Sequence, residues 1–154
     1  MKRHPRSPQS IEDTACAAGV VRRASRSLTR LYDSHLARAG VTTTQFSILR
    51  TLQRNGGRMS LADLAGELVF ERTSLYRALS PLRRGGLVTV RTGADRRAHD
   101  VSLTTKAERR IEQAMPHWVA AQRMVLDGFG AAAWSKFAVR LGDLTAVAHA
   151  GHAR

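Results

Sequence analysis

Cysteine is nearly missing from this chain. Only Cys16 is present, so no disulfide can form within one molecule, and a disulfide-stapled scaffold is excluded. That fits a reducing compartment. Aromatic residues make up 5% of the sequence, so Leu, Val and Ala must fill the core. No apolar run approaches the ~20 residues that span a bilayer. The basic opening MKRHPRSPQS has no apolar stretch behind it, which argues against a secretory signal. A soluble, cytoplasmic protein is expected. Acidic residues are scarce too: 12 Asp and Glu stand against 25 Lys and Arg, for a formal net charge of +13. Lysine occurs only at Lys2, Lys106 and Lys136, so the positive charge is carried almost wholly by arginine. Such a balance points to a polyanionic partner, with nucleic acid ahead of an anionic membrane surface.

What is present is organised by helical periodicity. Residues 1–10, with Pro5 and Pro8, read as a disordered basic tail. From about Ile11 to Ala39, Ala17, Val20, Val21, Ala24, Leu28, Leu31 and Leu36 recur at spacings of three and four, and Gly40 ends the pattern. TTTQFSILRTLQRNGG follows, with Thr42–Thr44 as caps and Phe46, Ile48, Leu49 and Leu52 as an inner face. MSLADLAGELVF is a short third helix capped by Ser60, with Asp63 at the capping-box position as a shorter substitute for Glu or Gln.

The segment FERTSLYRALSPLRRGGLV is a fourth helix carrying Pro81. Its leucines stay in phase across the proline, which predicts one bent helix. The alternative is a break, with Ser80 as N-cap and Pro81 as the first residue of a new helix. After Gly85 and Gly86 the period changes to two. Val88 and Val90, then Val101 and Leu103, alternate with polar residues around the tip TGADRRAHD, predicting a β-hairpin. A long helix is expected from about Thr105 to Leu126, interrupted at Pro116, and a last one from about Ala131 to Ala148.

Charge concentrates where the fourth helix and the hairpin lie. Between Glu71 and Arg110 there are ten Arg and Lys against four Asp and Glu, a local +6. On a helical wheel at about 100° per residue, Leu75, Leu79 and Leu82 fall on one face. Thr73, Arg77, Ser80 and Arg84 fall opposite, flanked by Tyr76 and Ser74. Guanidinium, hydroxyl and phenol groups can bond to base edges and phosphates. A short capped helix, a tight turn and a second helix with such a face is the helix-turn-helix layout, and the hairpin would be its wing. Arg96 and Arg97 at the tip suit phosphate or minor-groove contact.

Other chemistries find less support. No nucleophile, base and orienting group stand in a workable pattern, and there is no glycine-rich phosphate loop, so an enzyme is not expected. HAGH near the C-terminus could place His149 and His152 one turn apart, but no Cys or acid cluster accompanies them, so neither a metal nor another cofactor is expected. His99 is expected to meet solvent or phosphate. Cys16 stands near the start of the first helix, where a thiol can be acidified and made reactive, or can serve as a small apolar residue.

These elements, in this order, resemble the MarR family of winged helix-turn-helix transcriptional regulators. DRRAHDVSLT fits the family's wing signature, with Asp95, Arg97, Leu103 and Thr104 in register. LADLAGEL and ERTSLYRALSPLRRGGLV resemble its two helix-turn-helix segments. YDSHLARAGVTTTQFSILRTL resembles the segment that leads into them, and MPHWVAAQ resembles a branch with proline in the late helix. The resemblance covers the chain after residue 10. It departs at Ala107, where the family often has Gly, and at Tyr76, which is bulkier than the small hydroxyl residue common there.

The expected fold is mainly α with a small β-hairpin wing, an α+β winged helix-turn-helix with long N- and C-terminal dimerisation helices. Residues 41–104 would form the DNA-binding region, and 11–40 with 105–150 the dimerisation region. The apolar stripes of the terminal helices (Val119, Met124 and Leu126, then Trp134, Phe137, Leu141 and Leu144) are too long for one small winged domain to cover. The resemblance implies a homodimeric repressor on double-stranded DNA, bound to a pseudo-palindromic operator and released by an unidentified small-molecule effector. Tyr32, Phe46, Trp118 and Trp134 are candidates to line its pocket. The expected DNA-contacting residues are Arg72, Thr73, Ser74, Tyr76, Arg77, Ser80, Asp95, Arg96 and Arg97. Arg97 would enter the minor groove, with Asp95 holding it. The alternatives are a redox-sensing repressor acting through Cys16, as in peroxide-sensing members of the family, a low-specificity architectural DNA binder, and a winged module that mainly binds protein.

Overall fold

The computed structural model describes residues 14–92 and 99–152. Among these residues six α-helices and three strands follow in the order α1 (Ala17–Leu36), α2 (Thr43–Arg54), β1 (Arg58–Ser60), α3 (Leu61–Leu68), α4 (Arg72–Arg84), β2 (Val88–Thr92), β3 (His99–Leu103), α5 (Thr105–Phe129) and α6 (Ala131–His152), with a 3-10 turn at Ala37–Ala39. The mainly helical architecture with a small antiparallel sheet is the expected one. The 1–10 tail lies outside the described residues, and the first helix, expected from about Ile11, begins at Ala17 with Cys16 at its N-cap position.

Polar side chains set where the helices begin. Thr42 caps α2 through a reciprocal capping box: the Gln45 amide donates to Thr42 Oγ1 at 3.3 Å, and the Thr42 amide donates to Gln45 Oε1 at 3.0 Å. Ser60 caps α3 by accepting from the Asp63 amide at 3.0 Å. Asp63 does not close the box. Its carboxylate instead accepts from the Ser60 hydroxyl at 2.7 Å, as its shorter stem dictates. Thr104 caps α5 by accepting from the Ala107 amide, and its hydroxyl donates to the Gly86 carbonyl at 2.8 Å. The threonine of the wing signature therefore ties the end of the wing to the turn after α4. Ala107, where the family often has Gly, is fully buried and starts α5 normally.

The hydrophobic core joins every element of the winged unit. Leu36, Ile48, Leu49, Leu52, Leu64, Leu75, Leu79 and Leu82 are all at most 2% exposed. Each such leucine or isoleucine contributes roughly 1.5–3 kcal/mol by leaving water. The inner faces expected for α2 and α4 are the buried ones. Asp33 of α1 fastens the first helix to α2, accepting from the Thr43 amide at 2.6 Å and the Thr43 hydroxyl at 2.7 Å. Gly40, in the left-handed region at φ 68°, lets the chain turn between them. A Cβ there would lie 2.8 Å from the Arg110 guanidinium, which donates to the Ala39 carbonyl.

Four expectations need correction. The hairpin carries a third strand: β1 pairs with β3 through Arg58↔Ser102, Met59↔Val101 and Ser60↔Asp100, so the sheet order is β1-β3-β2. Three residues are too few to show a period of two. The third helix is shorter than the segment read for it, because Val69 leaves it in the left-handed conformation at φ 54°. Pro116 does not interrupt the fifth helix, which runs to Phe129. Pro116 and Glu112, whose carbonyl loses its partner, are both exposed, so water can satisfy that oxygen while Ile111, Ala114 and Ala121 stay packed. The last helix extends to His152, four residues beyond the expected end.

Candidate nucleic-acid interface

The helix-turn-helix is α3, its turn and α4. Glycine commonly supplies a left-handed helix end, but here Val69 takes that conformation. The Val69 amide donates to the Gly66 carbonyl at 3.2 Å and the Phe70 amide to the Ala65 carbonyl at 2.8 Å, closing the turn. Helix α4 then starts at Arg72 and passes Pro81 without a break. This decides between the two readings of Pro81: Ser80 does not begin a new helix.

Leu75, Leu79 and Leu82 hold α4 to the body, and the opposite side faces out. Arg72, Thr73, Ser74, Tyr76 and Arg77 are all exposed. Ser80 is the exception, being half-buried. Its hydroxyl accepts a hydrogen bond from Arg84 Nη1 at 2.7 Å, so Ser80 is already engaged within the helix. Asp95, Arg96 and Arg97 lie outside the described residues, between the ends of β2 and β3.

Two features of this surface were not visible in the sequence. His99, on the first residue of β3, is half-buried and meets the Tyr76 ring edge-on, with centroids 6.3 Å apart and planes at 80°. It therefore packs against the outward helix instead of standing alone in solvent. The spacing of 23 residues carries no periodic signal that could have found it. Asp100 of β3 pairs with Arg58 of β1, steadying the base of the hairpin.

A second site lies among α1, α2, α5 and α6. Tyr32, Phe46, Trp118 and Trp134 all line a groove of about 890 Å³, joined by Phe137 and Leu141. Trp118 packs against Phe46 with centroids 6.4 Å apart, and Trp134 and Phe137 cluster with Phe129. The Tyr32 hydroxyl donates to Gln122 Oε1, bridging α1 to α5. Burial pushes the Tyr32 phenol above its ordinary pKa. The wall is mostly apolar, with the hydroxyl residues Ser25, Thr29, Thr43 and Ser47 along it and the Arg140–Asp143 ion pair, 3.0 Å long, on its border.

Cys16 is exposed and occupies the N-cap position of α1. Its side chain makes no capping hydrogen bond. Among the described residues no three His, Cys, Asp or Glu side chains gather as metal ligands, and no helix is long and apolar enough to cross a membrane.

Capped α3, the turn at Val69, an outward polar α4 and a strand pair behind it define a winged helix-turn-helix protein. The sequence model of the MarR family matches residues 39–98. The Mycobacterium tuberculosis transcriptional regulator MosR, solved in complex with DNA, is 35% identical, with a TM-score of 0.81 over 88% of this chain and 98% of that one. AbsC, a MarR family transcriptional regulator from Streptomyces coelicolor, shares the fold at 22% identity, with a TM-score of 0.77 over 94% and 99% of the two chains. A cysteine-to-serine mutant of MarR from Escherichia coli, complexed with operator DNA, shares it at 21% identity, with a TM-score of 0.73 over 82% and 92%. No curated protein sequence gives a significant match. The chain belongs to the MarR family of winged-helix transcriptional regulators.

Proposed function

We propose that this protein is a sequence-specific DNA-binding repressor in the cytoplasm, acting as a homodimer and released from its operator by a small apolar effector. The observation that carries the reading is the exposed row Arg72, Thr73, Ser74, Tyr76 and Arg77 on a helix locked from behind by three buried leucines. Rigid backing with a polar, cationic front is what major-groove readout requires. Arg77 is the main base-reading candidate. Ser80, held by Arg84, is better suited to a phosphate than to a base. Asp95, Arg96 and Arg97 retain their proposed wing roles.

The dimer follows from surface that one chain leaves uncovered. Helix α6 carries apolar residues around its whole circumference, and Val139 and Val147 are 66% and 69% exposed. A helix that is apolar all round needs cover. On α1, Val20 and Val21 are exposed as well. A second copy covering these helices would present two α4 helices to half-sites about one helical turn, ~10 bp, apart. The aromatic groove sits where these helices meet the DNA-binding unit, so an effector bound there would change the angle between them.

Selection of bound genomic fragments tests the reading. A single enriched pseudo-palindrome is expected, and indiscriminate recovery would instead support an architectural binder. The exposed N-cap position of Cys16 favours a second reading, release by oxidation. Dilute peroxide should then free the wild type from operator DNA but not Cys16→Ser, and equal responses would end that reading.

A further inference from the structure

Helix α1 has a face that neither the groove nor the operator interface uses. With Ala17 set at zero and 100° per residue, Ala17, Val20, Val21, Ala24 and Leu28 cluster on the groove side. Arg22, Arg23, Arg26 and Arg30 fall within an arc of about 100° on the opposite side, and all four are exposed. No acidic residue occurs from Thr14 to Tyr32. Arg22, Arg26 and Arg30 stand four apart, so each sits one turn from a like charge, an arrangement that weakens a helix. Among the described residues none of them forms an ion pair, whereas Arg54, Arg58 and Arg140 each have an acidic partner. Asp33 lies on the same side one turn further on, but its carboxylate is occupied by Thr43.

This concentration of like charge fits a polyanion. From Arg22 to Arg30 the helix rises about 12 Å, the length of three to four base-pair steps along a duplex. The face stands apart from the operator surface: α1 packs on α2 and α5, while α4 packs on α2, α3 and β2. We propose that the arginine face of α1 binds the phosphate backbone of a second DNA segment while α4 reads the operator, so that one regulator can hold two duplexes. This rests on the operator-binding reading of α4 above. The contact would be indifferent to sequence, because guanidinium groups on a backbone neutralise charge and read no bases.

The test uses the full chain on an immobilised operator duplex, at one dimer per operator, with a labelled duplex of unrelated sequence in solution. The wild type should retain the labelled duplex at low salt and release it steeply as salt rises, with a slope near −0.9 for each phosphate contacted. The combined variant Arg22→Gln, Arg26→Gln and Arg30→Gln should keep operator affinity within about twofold and lose retention at least tenfold. Arg123→Gln, exposed on α5, should leave both unchanged. The proposal is overturned if the operator-bound wild type retains no second duplex, or if the triple variant retains it as well as Arg123→Gln does. It is also overturned if the triple variant weakens only long operator fragments, since the face would then touch flanking DNA, or if RNA or anionic vesicles displace the label better than DNA does. Failure of the wild type to hold the operator would count against the α4 reading instead.

Discussion

Replacing Pro81 with alanine should make the protein more stable and a poorer operator binder. The substitution restores an amide that can bond to the Arg77 carbonyl, worth about 0.5–1.5 kcal/mol, and removes the ring's crowding of the preceding turn. The full interior penalty of proline, ~3 kcal/mol, does not apply, because α4 ends three residues later at Arg84. Two effects oppose the gain. The unfolded chain becomes freer, costing roughly 0.4–1 kcal/mol, and the half-buried ring loses some contact. The net expectation is a small stabilisation, about 0.5 kcal/mol, read as a rise of roughly 1–2 °C in Tm for a chain of this size. Arg77 lies one turn before the proline and Arg84 one turn after, so any change in helix geometry at this point shifts the reading half against the half that launches the wing. Operator affinity should fall about fivefold to tenfold, about 1.0–1.4 kcal/mol, with base preference unchanged. Calorimetry and a binding titration against operator variants check both parts. A lower Tm, or unchanged affinity with altered base preference, would refute the claim that Pro81 sets geometry and makes no contact.

Three further outcomes follow from the same structure. Thr42→Ala removes one half of the capping box on α2 and should cost about 0.5–2 kcal/mol by denaturant unfolding, whereas Thr42→Ser should cost much less. Burial raises the Tyr32 phenol, so between its unfolded and folded pKa values the native state holds a proton that the unfolded chain has lost. Its contribution is therefore complete below about pH 10 and falls as pH rises through the folded value. Tyr32→Phe should flatten that loss in alkaline melts. Leu79→Ala, at a 2% exposed position, should cost about 2–5 kcal/mol in unfolding free energy, while Arg77→Ala, exposed on the same helix, should leave Tm within a degree or so.

Much of this was legible before any coordinates, and the reason is local. Thr42, Ser60 and Thr104 act within three residues of themselves, so helix starts show in sequence. The leucines of α4 repeat with the helix period, so its buried side shows too. Tyr32, Phe46, Trp118 and Trp134 were legible as groove residues only through family resemblance, since they come from four different helices and most of the winged unit lies between Phe46 and Trp118 in the chain. What stayed hidden depends on partners far along the chain. Strand β1 is defined by its pairing with β3, 42 residues away, as the Arg58–Asp100 contact shows. The Tyr76–His99 pair depends on how the wing folds back on α4. Proline misled at Pro116 because its intrinsic cost was weighed without the packing of α5 on α1 and α2, which holds the helix through it. At Pro81 the phase of the leucines carried the right answer, because burial on both sides of the proline outweighs one lost bond.

The central claim is that the exposed face of α4 reads sequence. The most direct measurement is the affinity of Arg77→Ala for the selected operator and for a scrambled duplex, across a salt series. The account predicts a loss of about 1–3 kcal/mol on the operator with little change on scrambled DNA. Equal losses on both duplexes would contradict it.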